Sequence, residues 1–176
     1  MPLTFRIASQ LRSEDKTIMH PINAALRTVF VASVILLNQA CSDDAKESGS
    51  SSLVQLSLGP KTIEIELAIE RSDQTRGLMY RRSMPANQGM LFVYQMPTRM
   101  SFWMRNTYIP LDIGFFTSDG VLREIHKMYP HDENPVKSMR EDILYALEMN
   151  QGWFQKNGIK PGESFDLEQL ENAIRK

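Results

Sequence analysis

The 176-residue chain has a single cysteine, so it can build neither a disulfide framework nor a cysteine-based zinc site. An excess of charge of one sign is also missing: 20 Lys and Arg face 21 Asp and Glu, a formal net charge of −1. That balance argues against a nucleic-acid partner, whose binders carry a clear basic excess. No apolar run reaches the roughly 18–20 residues needed to span a bilayer as a helix. The common catalytic signatures are absent too. There is no G-x-S-x-G elbow, no H-E-x-x-H pair, no phosphate-binding glycine loop and no dinucleotide fingerprint. What remains is ordinary globular composition, 42% hydrophobic and 23% charged, which says little about activity; no cofactor and no metal is expected.

Residues 1–40 read as an address. Arg27 precedes the run Val29-Phe30-Val31-Ala32-Ser33-Val34-Ile35-Leu36-Leu37, which leads to Ala40 and Cys41. A cation, an apolar core of about 7–15 residues and a small residue before the cut describe a secretory signal peptide. Met19 is an alternative start, from which these parts take ordinary signal proportions. The junction resembles that of bacterial lipoproteins: Ala40 fits the place before the cysteine, and Leu37 lies one position upstream of the usual leucine. The resemblance implies that Cys41 is acylated and anchored in a lipid bilayer, on the periplasmic side of the cell envelope. Ser42 implies sorting to the outer membrane; without acylation the protein would be periplasmic or secreted. Residues 41–52 form a Ser/Asp-rich tether, because a stretch with so little apolar surface cannot offset its ordering entropy.

Residues 53–176 have the length of one domain. Ile63, Ile65, Leu67 and Ile69 alternate with Glu64, Glu66, Ala68 and Glu70, the period of a strand with one buried and one wet face. Residues 53–58 pair with it through a Gly59-Pro60-Lys61 turn. Further strands are expected at 90–94, 101–105, 112–117, 121–126, 143–149 and 165–167, with Asp119-Gly120 as a hairpin turn. Short helices are expected at 72–79, starting at the capping residue Ser72, at 150–157 before Gly158, and at 167–176. The expected class is all-β, a sandwich, jelly roll or small barrel, with two or three short helices.

Ordered motifs run through this domain: Arg76-Gly77-Leu78-Met79-Tyr80-Arg81, Gly89-Met90-Leu91-Phe92-Val93, Phe102-Trp103-Met104-Arg105-Asn106-Thr107 and Ile109-Pro110-Leu111-Asp112-Ile113. Asp119-Gly120, Leu147-Glu148-Met149-Asn150-Gln151-Gly152, Gly158-Ile159 and Gly162 complete them. Together they resemble an uncharacterised bacterial and archaeal family, a domain of unknown function, over nearly all of residues 53–167. The resemblance implies an all-β sandwich, commonly behind a signal peptide, and supplies no reaction, substrate or catalytic residue.

The polar groups in these motifs are the candidate site: Arg76, Arg81, Trp103, Asn106, Asp112 and Glu148. They form either a structural network of ion pairs and turns or one cleft that binds a small anionic or sugar-like ligand on Trp103. The protein is then a binding or accessory module for a small molecule or a protein partner. An enzymatic alternative makes Asp112 and Glu148 the carboxylate pair of a small glycan hydrolase. A third reading takes Met79, Met84, Met90, Met96, Met100 and Met104 as soft ligands for Cu(I), against core packing as the plainer role. His126 reads as a surface or hydrogen-bonded histidine, and His131-Asp132-Glu133-Asn134 as a solvated loop rather than a cation site. Replacing Cys41 by Ser is expected to move the protein from the membrane to the soluble fraction. Mass spectrometry of the wild-type membrane fraction should find lipid on Cys41; an unmodified Cys41 peptide there contradicts the anchor.

Overall fold

A computed structural model describes residues 53–175. The signal segment, the start at Met19, Cys41, the tether and Lys176 lie outside the described residues. Among the described residues eight strands and three short helices follow one another. The strands are β1 (Val54–Leu58), β2 (Lys61–Ala68), β3 (Gln88–Thr98), β4 (Ser101–Phe102), β5 (Leu111–Thr117), β6 (Leu122–Met128), β7 (Val136–Lys137) and β8 (Ile143–Asn150). The helices are α1 (Arg71–Arg76), α2 (Trp153–Asn157) and α3 (Leu167–Ile174). The all-β class with a few helices is what the chain adopts. The main sheet is open rather than closed into a barrel, with six strands in the order β1-β2-β3-β8-β5-β6, and β4 and β7 make a separate two-stranded ribbon.

Turn chemistry sets the two hairpins. Gly59, at φ +51°, lets Leu58 face Lys61 across the β1–β2 turn. In the β5–β6 turn the Gly120 N–H donates to the Thr117 carbonyl at 2.9 Å, and Arg123 clamps Thr117 and Asp119 at 2.8 and 2.9 Å. Between β2 and β3 the pairing is parallel. A parallel pair needs a long crossover, which α1 and the loop after it provide. Gln74 holds α1 to the sheet by donating to the carbonyls of Ala68, Ile69 and Val93 at 3.3, 3.2 and 2.8 Å. This helix starts at Arg71 with Glu70 in the capping position and no side-chain cap, so Ser72 does not play the expected role. The expected strand at 165–167 is replaced by single bridges, Leu58 to Phe165 and Val121 to Ser164, and Leu167 opens α3, which Asp166 caps. The expected strand at 101–105 stops at Phe102, after which the chain turns.

Each face of the sheet carries its own core. On one side Leu56, Ile65, Leu91, Phe116 and Leu147 pack beneath Trp153 and Phe154 of α2 and Leu170 of α3. On the other, Met90, Phe92, Ile113, Phe115 and Ala146 pack beneath Leu78, Met84, Met100, Phe102 and Ile109 from the loops and ribbon. Strand β5 is buried along its whole length because both of its faces are covered. Methionines 84, 90, 100 and 104 belong to that second core, and Met96 stands 74% exposed. The six methionines therefore do not form one coordination sphere, and the bulk of those four fills core space.

At Gly89 strand β3 runs against β8 with no room for a side chain. A Cβ there would lie 2.3 Å from Met149 Sδ and 2.4 Å from the Glu148 carbonyl oxygen. The backbone atom cannot swing aside, so Gly89→Ala should force the two central strands apart. A loss of about 1–3 kcal/mol is expected in urea unfolding, and an unchanged midpoint would contradict this packing.

Candidate functional site

The register of the central strands aligns one row of side chains. Glu66 faces Met90 across β2–β3, Met90 faces Glu148 across β3–β8, and Glu148 faces Ile113 of β5. Directly opposed residues share a face, so Glu66 and Glu148 flank Met90 on the side covered by the ribbon. Both are buried, at 7% and 5% exposure. Arg81 descends on this row and grips Glu66 with a two-pronged fork, Nη1 to Oε1 at 2.5 Å and Nη2 to Oε2 at 2.6 Å. Such bidentate pairs are the strong, directional form of the guanidinium–carboxylate bond.

A clasp between two loops positions Arg81. Tyr80 and Asn106 both take the left-handed conformation, at φ +66° and +54°. The Tyr80 N–H donates to the Asn106 carbonyl at 2.8 Å, and Asn106 Nδ2 donates to the Tyr80 hydroxyl at 3.1 Å. Asn tolerates this backbone better than other non-glycine residues; for Tyr80 the conformation is held by its partner.

Both Nη atoms of Arg81 engage Glu66, so Glu148 feels its charge without sharing that fork. Burial pushes the Glu148 carboxyl up to about 8, opposed only in part by Arg81. At neutral pH Glu148 holds its proton. It lies in the wall of a cleft of about 250 Å³ together with Arg76, Leu78, Phe92, Trp103 and Thr107. Burial also raises the Tyr94 hydroxyl in the same wall. Trp103 is 46% exposed, and the Arg105 guanidinium lies 5.6 Å from its ring centre. Arg76 is half in solvent, 3.4 Å from Asp73.

Arg76, Trp103 and Glu148 thus line one cleft, and Arg81 and Asn106 support its floor and rim. Asp112 does not belong to it. Its register partners are Met149 and Lys127, which puts it on the opposite face of the sheet from Glu148. The hydrolase pair Asp112 and Glu148 is overturned by this geometry, since the sheet separates the two carboxyls. Asp112 Oδ2 accepts the Gly152 N–H at 2.7 Å, and Oδ1 is buried without a partner. An orphaned buried acceptor costs about 1–3 kcal/mol. Burial raises the Asp112 carboxyl, and the Gly152 N–H and Lys127 pull it back.

Two histidines fall among the described residues, and neither lines the Glu148 cleft. His126 Nε2 lies 2.7 Å from Glu124 Oε2, with its ring edge-on to Phe115. Asp132 Oδ1 accepts from the N–H and the amide of Asn134 at 2.9 and 2.8 Å, closing its own turn. Among the described residues no three His, Cys, Asp or Glu are grouped to hold a metal ion. The site residue that the sequence concealed is Glu66. Its alternation with Ile65 and Leu67 reads as a wet face, yet β2 is an interior strand and that face lies under the crossover loop. The one available signal is Arg81, a motif arginine that needs a carboxylate.

Comparison with known proteins agrees with this architecture. Residues 54–167 match the model of the family DUF192, described as an uncharacterized ACR, COG1430. Among curated proteins none matches the sequence. A crystal structure from Sinorhizobium meliloti 1021, described as that of a candidate transcription regulator, is 35% identical, with a TM-score of 0.64 over 67% of this chain and 95% of that one. A protein of unknown function from Novosphingobium aromaticivorans DSM 12444 is 34% identical, with a TM-score of 0.61 over 65% of this chain and 84% of that one. The family match spans most of the folded domain, and the chain belongs to the DUF192 family.

Proposed function

We propose that the domain is a binding module for a small, neutral, hydroxyl-bearing ligand of the sugar type, held at the cell envelope by acylated Cys41. The observation that carries this reading is the buried Glu148, its carboxyl pushed up to about 8 by burial, in the wall of a cleft whose rim presents Trp103. A protonated carboxyl donates one hydrogen bond and accepts others, which is also what a hydroxyl does. An ionised carboxylate would only accept. The indole face offers an apolar platform for a sugar ring, and Arg76 and Arg105 at the edge tolerate an acidic substituent. At about 250 Å³ the cleft lies just below the roughly 300–1,000 Å³ of ordinary small-molecule sites, which suits one ring of a ligand. The absence of a basic excess gives no support to DNA binding here, whatever the role of the relative described as a regulator. Residues 42–52 would let the domain reach its ligand from an anchored position at the periplasmic face of the outer membrane.

Calorimetry with glucose and N-acetylglucosamine tests the cleft. Glu148→Gln, which keeps a donor and an acceptor, should hold binding within about threefold. Glu148→Ala and Trp103→Ala should each weaken it by about tenfold or more. Equal affinity in all four proteins, or no binding of either sugar by the wild type, contradicts the reading. Stability supplies a second check. The folded pKa of Glu148 lies above the unfolded value of 4.5, so the native state retains a proton that the unfolded chain has lost. Stability should be unaffected by this group below pH 4.5 and should fall by about 1.4 kcal/mol per pH unit up to about pH 8. Glu148→Gln should remove that slope and be the more thermostable protein at pH 8.

A further inference from the structure

We propose that the cavity beside Asp112 is a second binding site, for an apolar α-amino acid, either free or as the first residue of a peptide. The cavity measures about 480 Å³, within the range of small-molecule sites. It lies on the sheet face opposite the Glu148 cleft, with the central strands between the two. Its wall is largely apolar, from Ile125, Phe154 and Ile159. Into this wall β5 sets Asp112, 4% exposed, with one oxygen bound to the Gly152 N–H and the other without a partner, closed off just beneath the cavity surface so that a turn of the carboxylate presents it to a ligand. Two exposed cations complete the lining: Lys127, directly across from Asp112 in the β5–β6 register, and Lys160, on the chain just beyond α2.

These parts select among ligand chemistries. A sugar needs many polar partners, and this wall is mostly hydrocarbon. A fatty acid would use the lysines and the apolar wall, but it leaves the Asp112 oxygen unpaired and brings a second carboxylate towards it. An alkylamine would satisfy Asp112, yet it adds a third cation beside Lys127 and Lys160, with that one carboxylate to balance all three. An amino acid satisfies all three features. Its ammonium donates to Asp112, its carboxylate meets a lysine, and its apolar side chain lies against Ile125, Phe154 and Ile159. The volume leaves room for a second residue. Gly152 and Gly158, both left-handed at φ +83° and +73°, frame α2 over this space, and a Cβ on either would meet nothing within 4 Å. They serve the backbone path of α2 and do not fill the cavity.

The test uses the full chain, with L-leucine, 4-methylpentanoate, 3-methylbutylamine and the dipeptide Leu-Gly as probes in calorimetry and amide NMR. Leucine or Leu-Gly should bind and shift the amides of Gly152, Gln155 and Gly158. Each truncated analogue should bind about tenfold or more weakly. Tighter binding of Leu-Gly assigns the site to a peptide N-terminus, and tighter binding of leucine assigns it to the free amino acid. Asp112→Asn should abolish the preference for the ammonium group, with circular dichroism as the check on folding. Lys160→Ala, a surface change that leaves the core intact, should selectively weaken the carboxylate-bearing probes. The proposal is overturned if neither leucine nor Leu-Gly binds, if the analogues bind as well as leucine, or if the shifted amides lie elsewhere.

Discussion

One partly buried guanidinium between two buried carboxyls organises this face of the domain. Arg81 carries one positive charge, enough to balance one acid, and the geometry gives both of its Nη atoms to Glu66. The second acid, Glu148, stands two strands away in the same row and must settle its charge differently. Burial penalises its charged form and the charge of Arg81 offsets this only in part, so its carboxyl is pushed up to about 8. The arrangement is asymmetric by construction. One carboxylate is a structural partner, and the other is left as a neutral polar group facing a cleft. Arg81 is 31% exposed along its side chain, which spares it part of the cost of desolvation.

The surrounding fold exists to hold that asymmetry in register. The parallel pairing of β2 with β3 brings Glu66 level with Met90, and the antiparallel pairing of β3 with β8 brings Glu148 into the same row. The crossover from β2 to β3 then returns over this face and delivers Arg81. The Tyr80–Asn106 clasp ties that loop to the one carrying Trp103. The cleft wall and its charged floor are thus parts of one construction. Because the sheet is covered on both faces, the second cavity at Asp112 sits behind a separate core, and the two sites share no side chain.

Much of this was legible from residue order. The two hairpins followed from Gly59-Pro60 and Asp119-Gly120, and the strand runs marked most of the sheet. Residues Arg76, Trp103 and Glu148 were singled out by their motifs and do line one cleft. Sequence failed where tertiary neighbours decide. Alternation in β2 identifies two faces but cannot say that both are covered, so Glu66 looked solvated. Parallel pairing leaves no local mark, and without it the row of acids is invisible. Asp112 and Glu148 are both motif carboxylates, and only the β5–β8 register, in which Glu148 faces Ile113 and Asp112 faces Met149, reveals that they point apart. Ser72 made a good capping residue by composition, yet Gln74 anchors the helix, in part through the Val93 carbonyl on a different strand.

The most direct test of the account is the ionisation of Glu148 itself. Carbon-13 NMR of the glutamate side-chain carboxyls, with Glu148 assigned by its loss in Glu148→Gln, can follow it from pH 4 to pH 9. The account predicts a carboxyl that stays protonated through neutrality and titrates near pH 8. A Glu148 resonance that titrates near the ordinary glutamate value of 4.5 would mean an ionised, solvated side chain, and the neutral polar cleft would be wrong.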